Sequence, residues 1–128
     1  MAASFKFELV TPERVLMSSD VTEVMVPGAD GDFTVFAGHA PVISMLRPGV
    51  IVAKGEGNRV TRLYVRGGFC EVAPDSLTVL AEQASDVESM NADAIAAETK
   101  AAEAALAAAT TDDARWAANT AIERLKAL

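Results

Sequence analysis

Two aspartates and the only histidine of this 128-residue chain lie within one glycine- and proline-rich segment, residues 27–48. Asp30 and Asp32 are two residues apart, and His39 follows in the run Gly-His-Ala-Pro. Carboxylates and imidazole bind metals and transfer protons, so an acid–base or metal site is one interpretation of this segment. The segment contains no second histidine, no cysteine and no nucleophile motif, which favours the alternative, a hydrogen-bonded loop with an exposed acidic tip.

A glycine pair, Gly67 and Gly68, is the second feature that could carry chemistry, because glycine-rich turns can cradle phosphate. Its spacing matches neither a P-loop nor a dinucleotide-binding fingerprint, and no helical pattern follows it. We therefore interpret the pair as a bend between strands, at a place where a side chain does not fit.

Two sets of large side chains are candidates for contact surfaces. Arg62, Tyr64 and Arg66 alternate, which places them on one face of a strand. We expect that face to be solvated, with an interface as the alternative. Trp116 lies off the apolar stripe of its predicted helix, so we expect it either to cover the rest of the protein or to contact another chain.

Composition excludes several classes of function. The formal net charge of -7 and the pI near 4.6 leave no basic footprint for nucleic acid. The single cysteine, Cys70, cannot form an internal disulfide or supply a metal cluster, so we expect a packed thiol and a reducing compartment. No apolar run approaches the roughly 18–20 residues that span a bilayer, and no signal-peptide block begins the chain. We expect no export and no direct membrane insertion, although the protein could sit on a membrane protein.

Two halves with different periodicities position these residues. From Phe5 to about Ala81, apolar residues alternate in short runs that turn residues interrupt, which indicates many short strands in a sandwich or flattened barrel. After about Ala84 the composition changes to alanine, glutamate and lysine without glycine or proline, which favours helix. The sequence therefore predicts a β domain over residues 1–86 and a helical hairpin domain over residues 87–128.

Capping and seam residues define the predicted hairpin. Asn91 is the expected N-cap of a helix to about Ala109, and Thr110 with Asp113 resembles a capping box for a second helix. Alanine seams bury little area, so the hairpin needs the β domain or a partner to stay docked. The predicted seam residues are Ile95, Ala102, Leu106 and Ala109 on the first helix, and Ala114, Ala117, Ala118, Ala121, Ile122, Leu125 and Leu128 on the second.

Three motifs follow one another in the β half of the chain. They are Gly28-Ala-Asp-Gly-Asp-Phe, then Gly38-His-Ala-Pro-Val-Ile with Leu46-Arg-Pro-Gly, then Gly67-Gly-Phe-Cys-Glu-Val followed by Leu77-Thr-Val-Leu-Ala-Glu. In their order and spacing the chain closely resembles the epsilon subunits of bacterial F-type ATP synthases, which correspond to the mitochondrial delta subunit. The resemblance implies an α+β fold, in which an N-terminal ten-stranded antiparallel β-sandwich precedes an antiparallel two-helix hairpin.

The same resemblance implies a function. Members of the family are non-catalytic subunits at the foot of the rotating central stalk. They bind the gamma subunit and press the sandwich onto the c-ring loops, so that proton flow is coupled to ATP synthesis. Carried over to this sequence, Asp32, with Asp30 beside it, stands in the turn that faces the c-ring, and His39 stands near the same contact. The implied location is the cytoplasmic face of the bacterial inner membrane, as a peripheral part of the complex.

The predicted hairpin departs from the family pattern in two respects. Versions that bind ATP resemble Ile/Leu-Asp-x-x-Arg-Ala early in the first helix, whereas this chain has Ala92-Asp-Ala-Ile-Ala-Ala, so we expect no cofactor. Inhibitory versions carry several basic residues on the second helix, where this chain offers only Arg115, Arg124 and Lys126. The two arginines and Trp116 are the candidates for contact with the alpha and beta subunits. Two alternatives stay open, namely a hairpin that inhibits ATP hydrolysis by changing conformation, and an enzyme that uses the acidic loop.

Overall fold

The computed structural model describes residues 3–128, except the side chain of Asn58, as a β-sandwich followed by two helices. The strands are β1 Phe5–Val10, β2 Val15–Val21, β3 Glu23–Gly28, β4 Gly31–Phe36, β5 Val42–Met45, β6 Gly49–Lys54, β7 Val60–Ala73 and β8 Ser76–Asp86. The helices are α1 Ala92–Ala108 and α2 Asp112–Lys126, and single 3-10 turns occupy Glu56–Asn58 and Val87–Ser89. The strands precede the helices, which is the α+β order that the change of periodicity predicted.

Strands β7 and β8 are long enough to run through both layers of the sandwich. β7 pairs with β6 through residues 60–65 and with β5 through residues 69–72, so it passes from one layer to the other between these segments. β8 pairs antiparallel with β7 from Leu63 to Ala73, on both sides of this passage. Layer A therefore contains β4, β3, β6, the first part of β7 and the last part of β8. Layer B contains β5, the second part of β7, the first part of β8, β1 and β2.

Eight strands are present in the described residues, rather than the ten that the resemblance implied. The difference comes from the passage between layers, because β7 and β8 each contribute one segment to layer A and one to layer B. Each layer thus has five strand segments, although only eight strands are continuous. One pair also departs from an all-antiparallel sandwich, since β1 lies parallel to β8 with Phe7 beside Leu77.

The glycine pair forms the bend at which β7 changes layer. Gly67 and Gly68 have φ angles of 75° and 114°, a region that residues with a Cβ atom rarely adopt. A Cβ atom on Gly68 would lie 2.1 Å from the carbonyl oxygen of Leu80 on β8, where no side chain fits. The pair is a bend at which no side chain fits, as predicted, but it lies inside the continuous strand β7 rather than between two strands.

The main core lies between the two layers and is made by the inward residues of alternating strands. It includes Phe7, Leu9, Val24, Val26, Val35, Ile51, Val65, Cys70, Leu77 and Val79, all fully buried. Cys70 is therefore a packed thiol, as predicted. Burial raises the pKa of this thiol, because a thiolate is poorly solvated there, and a backbone hydrogen bond from Ser44 opposes part of the shift.

Side-chain caps begin both helices. The side chain of Asn91 accepts a hydrogen bond from the amide of Ala94 at 2.8 Å, so the predicted N-cap of α1 is confirmed. The predicted box of Thr110 and Asp113 is wrong by one residue. Thr111 has the extended backbone and accepts from the amide of Ala114 at 3.1 Å, because α2 already begins at Asp112.

The hairpin packs on the outer face of layer A. Tyr64 of β7 is buried there against Ala102 of α1 and against Ala121 and Leu125 of α2, with Val50 of β6 beside it. Of the predicted seam, Ala102, Ala118, Ala121 and Leu125 are buried, whereas Ala114 is exposed. No helix within residues 3–128 is long and apolar enough to cross a membrane.

Replacing Gly68 with alanine should destabilise the sandwich by roughly 3 kcal/mol, because both the positive φ angle and the clash with the Leu80 carbonyl must be relieved. Gly57→Ala is the matched control, since Gly57 has a φ of 72° but no atom within 4 Å of an added Cβ. We expect that control to cost about 1–2 kcal/mol. Urea unfolding followed by circular dichroism measures both losses, and equal losses would contradict the role of the bend.

Candidate functional site

The turn between β3 and β4 presents one unpaired carboxylate rather than two. The guanidinium of Arg47 donates a hydrogen bond to the carboxylate of Asp32 and forms an ion pair with it. The side chains of Arg47 and Asp32 are 19% and 45% exposed. Asp30 is exposed and forms no ion pair with any residue in the part of the chain that the structure describes. The exposed acidic tip is therefore Asp30, while Asp32 is held at its base.

His39 lies beyond the other end of β4. The amide of Gly38 donates to the carbonyl of Pro74 at 2.7 Å, which places this segment beside the turn between β7 and β8. His39 Nδ1 is 2.8 Å from the carbonyl oxygen of Ala40. Because β4 is extended, its two ends are separated by roughly 17 Å.

The acid–base or metal constellation of Asp30, Asp32 and His39 is consequently not formed. Their closeness in sequence does not become closeness in space, because a whole strand runs between the aspartates and the histidine. Within residues 3–128, no three side chains of the metal-binding types are gathered in one place. The acidic loop thus offers a charged surface, and its side chains do not converge on a substrate.

The acidic turn is hydrogen-bonded along one side to residues 45–47. The amide of Ala29 donates to the carbonyl of Met45 at 2.8 Å, and the amide of Arg47 donates to the carbonyl of Pro27 at 3.0 Å. Between these bonds, Gly28 and Leu46 form an isolated β-bridge. The turn is therefore fixed by backbone bonds as well as by the ion pair.

An apolar row crosses the outer face of layer B. It consists of one large side chain from each of the five strands, namely Met45, Phe69, Leu80, Val10 and Val15. The register places Met45 opposite Phe69, Phe69 opposite Leu80, Leu80 beside Val10 and Val10 opposite Val15. Met45 and Val15 are 62% and 57% exposed, and Leu80 and Phe69 are 39% and 38% exposed. Contiguous exposed apolar side chains of this kind mark interaction surfaces.

A cleft of about 370 Å³ lies along this row, between Met45 and Pro12. Ile43, the next outward residue of β5, is 70% exposed and extends the row at its edge. Sequence reasoning missed the row because its members come from five separate strands. The available signal was that outward positions of alternating strands, which are usually polar on a solvated face, are apolar at 45, 69 and 80.

The hairpin covers Tyr64 in the middle of the face formed by Arg62, Tyr64 and Arg66, so the expectation of a solvated face is wrong there. Arg62 stays exposed and Arg66 is half-buried, and both pair with carboxylates that follow the sandwich. Arg62 is 3.0 Å from Glu88, and Arg66 is 3.5 Å from Glu98. The Tyr64 hydroxyl is buried and finds no hydrogen-bond partner in the part of the chain that the structure describes. Burial raises the pKa of Tyr64 to about 12, the charge of Glu98 adds to this shift, and Arg66 opposes it.

The three candidate residues of α2 lie in two different places. Trp116 is half-exposed and lines a cleft of about 320 Å³ between α2 and the sandwich, so it covers the sandwich in part. Arg115 forms an ion pair within α2. Arg124 lies about 14 Å farther along the helix than Arg115. It lines a second cleft, of about 240 Å³, together with Asp32 and Arg47.

Comparison with known proteins agrees with this architecture. Residues 4–87 match the family described as "ATP synthase, Delta/Epsilon chain, beta-sandwich domain". The chain belongs to this ATP synthase delta/epsilon family. Over 128 residues it is 45% identical to the ATP synthase epsilon chain of Parvibaculum lavamentivorans, which covers 100% of this chain and 97% of the relative. Over 112 residues it is 46% identical to the ATP synthase epsilon chain of Rhodospirillum rubrum, covering 88% and 84%.

The delta/epsilon fold also appears among solved structures. A chain in the cryo-EM structure of the Euglena gracilis mitochondrial ATP synthase, which contains OSCP, F1 and the c-ring, superposes with a TM-score of 0.73. The alignment covers 98% of this chain and 79% of the other, at 20% sequence identity. The sandwich and hairpin therefore form one arrangement that a distant chain shares.

Raising the pH should weaken the packing around Tyr64. The pKa is about 12 in the folded protein and 10.0 ordinarily, so the unfolded chain loses this proton first. The stability that depends on the neutral phenol is complete below pH 10 and is lost as the pH rises from 10 towards 12. Tyr64 is the only tyrosine, so ultraviolet absorption of tyrosinate reports its titration directly. A midpoint near 10 in the unmodified chain would contradict the buried environment.

Two variants show whether the hairpin causes this shift. Leu125→Ala removes a buried contact of α2 and should move the Tyr64 midpoint back towards 10. Leu80→Ala is the control, because Leu80 lies on the outer face of layer B, away from the hairpin, and it should leave the midpoint unchanged.

Proposed function

We propose that the chain is a non-catalytic rotor subunit of an F-type ATP synthase, which binds the gamma subunit and the c-ring in the central stalk. In this role it couples proton flow to ATP synthesis. Membership of the delta/epsilon family supports the proposal. The observation that carries it is the apolar row, because Met45, Phe69, Leu80 and Val15 expose contiguous apolar surface of the kind that marks an interaction site. The Euglena chain of the same fold comes from a structure of F1 with the c-ring.

We assign the apolar row to the gamma subunit. A permanent partner in a rotor suits a row of large apolar side chains, since lasting interfaces are more apolar than transient ones. Polar residues border the row on the same face, because Glu8 and Glu71 both lie beside Thr78 of β8. An apolar centre with such a rim is the usual anatomy of an interface. His39 lies outside the row, beside the turn between β7 and β8, and the resemblance alone assigns it to a place near the c-ring contact.

We assign the acidic turn to the c-ring loops. Asp30 offers a free carboxylate at the tip of the turn, and basic groups on the loops would complement it. Asp32, which the resemblance places at this contact, already has its charge paired with Arg47. Its part in the contact is therefore to shape the turn. This assignment places the protein at the cytoplasmic face of the inner membrane, as a peripheral part of the complex.

A charge in the middle of the apolar row should disrupt binding to the gamma subunit. We expect Leu80→Asp to weaken co-purification with the gamma subunit of the same organism at least tenfold, a difference of about 1.4 kcal/mol. Val60→Asp is the matched control, because Val60 is an equally apolar, 50% exposed residue of β7 that lies outside the row. Thermal unfolding of both variants confirms that the sandwich is intact. Equal binding by the two variants would overturn the assignment.

The hairpin as a conformational inhibitor of ATP hydrolysis is a second proposed function. The observation that favours it is the Tyr64 hydroxyl, which is buried unpaired within the described residues, under a contact to which Ala102 and Ala121 add little area. An unsatisfied buried group costs about 1–3 kcal/mol, which favours release of the hairpin. In an extended state, Trp116, Arg115 and Arg124 would be the residues that meet the alpha and beta subunits.

Deleting residues 88–128 tests this second function. If the hairpin inhibits, ATP hydrolysis by the assembled enzyme should rise severalfold, while the sandwich still binds the gamma subunit through the apolar row. Hydrolysis at the unmodified rate, in a complex that contains the truncated chain, would show that the hairpin does not inhibit.

A further inference from the structure

We propose that Arg47 is a positioning residue, and that residues 45–47 are a strut that joins the acidic turn rigidly to the apolar row. The inference rests on the proposed function, because it concerns how load passes between the two partner surfaces. It goes further in naming the residues that carry the load. Three sets of contacts lead to it.

The first set ties the strut to the apolar row. Met45 is itself a member of the row and lies opposite Phe69 in the register of β5 and β7. The next residue, Leu46, is buried in the core, and its amide donates to the carbonyl of Gly68 at 3.0 Å. One end of the strut is therefore anchored beside the bend of β7, directly under the surface assigned to the gamma subunit.

The second set ties the strut to the acidic turn. Two backbone hydrogen bonds, from Ala29 to Met45 and from Arg47 to Pro27, enclose the bridge between Gly28 and Leu46. The backbone of the turn is therefore fixed to the strut on both sides of this bridge.

The third contact is the ion pair between Arg47 and Asp32, which fixes the acidic side of the turn. Arg47 is mostly buried, and Asp32 is the carboxylate that balances its charge. Among the described residues, the Nε atom of Arg47 has no hydrogen-bond partner. An arginine removed from water in this way holds its carboxylate more firmly than an exposed pair does. Asp30, two residues before Asp32, is thereby held in a defined position relative to Met45.

The strut has a mechanical consequence. A force applied at Asp30 by a rotating ring passes through a short, hydrogen-bonded path to Met45, rather than being absorbed by bending of a loop. Preorganisation of this kind keeps a contact residue within a narrow range of positions. Loss of the Arg47 charge should leave both partner surfaces present but loosen the connection between them.

Arg47→Met in the assembled ATP synthase tests the strut, since methionine keeps an unbranched apolar stem and removes the charge. We expect hydrogen exchange of the Ala29 amide to become at least tenfold faster. We also expect the number of protons pumped per ATP hydrolysed to fall at least twofold. Cross-links to the c-ring from a cysteine at position 30 should spread over more ring positions. Arg47→Lys should restore part of the protection, because it keeps one donor for Asp32.

Lys54→Met is the matched control. It removes the basic partner of Glu23 in an exposed ion pair on the same layer, away from the turn, and should change none of these readouts. Should Arg47→Met fail to fold, Asp32→Asn breaks the same pair from its exposed side and carries the same expectations. If the folded variant shows the same hydrogen exchange at the Ala29 amide and pumps the same number of protons per ATP hydrolysed as the unmodified chain, the strut proposal is wrong.

Failure of the strut and failure of the proposed function give different results. If the unmodified chain does not co-purify with the gamma subunit, the proposed function fails and the strut with it. If the complex forms and Arg47→Met behaves like Lys54→Met, the proposed function stands and the strut alone is wrong.

Discussion

The close approach of β7 to β8 at Gly68 determines which side chains face the hairpin and which stand in the apolar row. Gly68 has no Cβ atom, so β7 can pass directly beside the Leu80 carbonyl. The chain can therefore turn from layer A into layer B without ending the strand. Before the bend the inward residues are Leu63 and Val65, and after it they are Cys70 and Val72. The alternation thus shifts by one residue. This shift turns Tyr64 outward on layer A and Phe69 outward on layer B.

The two outward faces meet different occupants as a result. Tyr64 receives the alanine seam of the hairpin, while Phe69 stands in the apolar row. A partner on layer B and the hairpin on layer A therefore do not compete for the same surface. The acidic turn lies at a third place, where Asp32 has its charge balanced by Arg47 and only Asp30 remains free at the tip. The bend in β7 separates the hairpin face from the apolar row, and the ion pair of Asp32 with Arg47 fixes the acidic turn at a third place.

Much of the fold could be predicted from the sequence, because alternation and turn residues are local signals. Period two predicted the strands, the Gly67 and Gly68 pair predicted the bend, and Asn91 predicted the start of α1. The motifs of the β half predicted the family. The number of strands could not be predicted in the same way. β7 and β8 stay paired on both sides of the bend, so each counts as one continuous strand although it supplies a segment to each layer.

The surfaces were harder to predict, because they depend on which distant segments meet. Asp32 and His39 are seven positions apart, yet an extended strand separates them. Arg62 and Arg66 suggested a solvated face, but their charges are paired with Glu88 and Glu98 at the edge of the hairpin contact. The members of the apolar row are spread from Val10 to Leu80 and meet only through strand register.

The parallel pairing of β1 with β8 has a consequence for the order of folding. Phe7 and Leu77 are neighbours in the sheet although 70 positions of chain separate them. Contacts of such long range close slowly, since the entropy of the intervening loop is lost before the pairing is gained. During synthesis the first hairpin, β1 with β2, must therefore wait with an open edge until β8 has left the ribosome. The helices are made last, and they reach a sandwich whose final edge has only just closed.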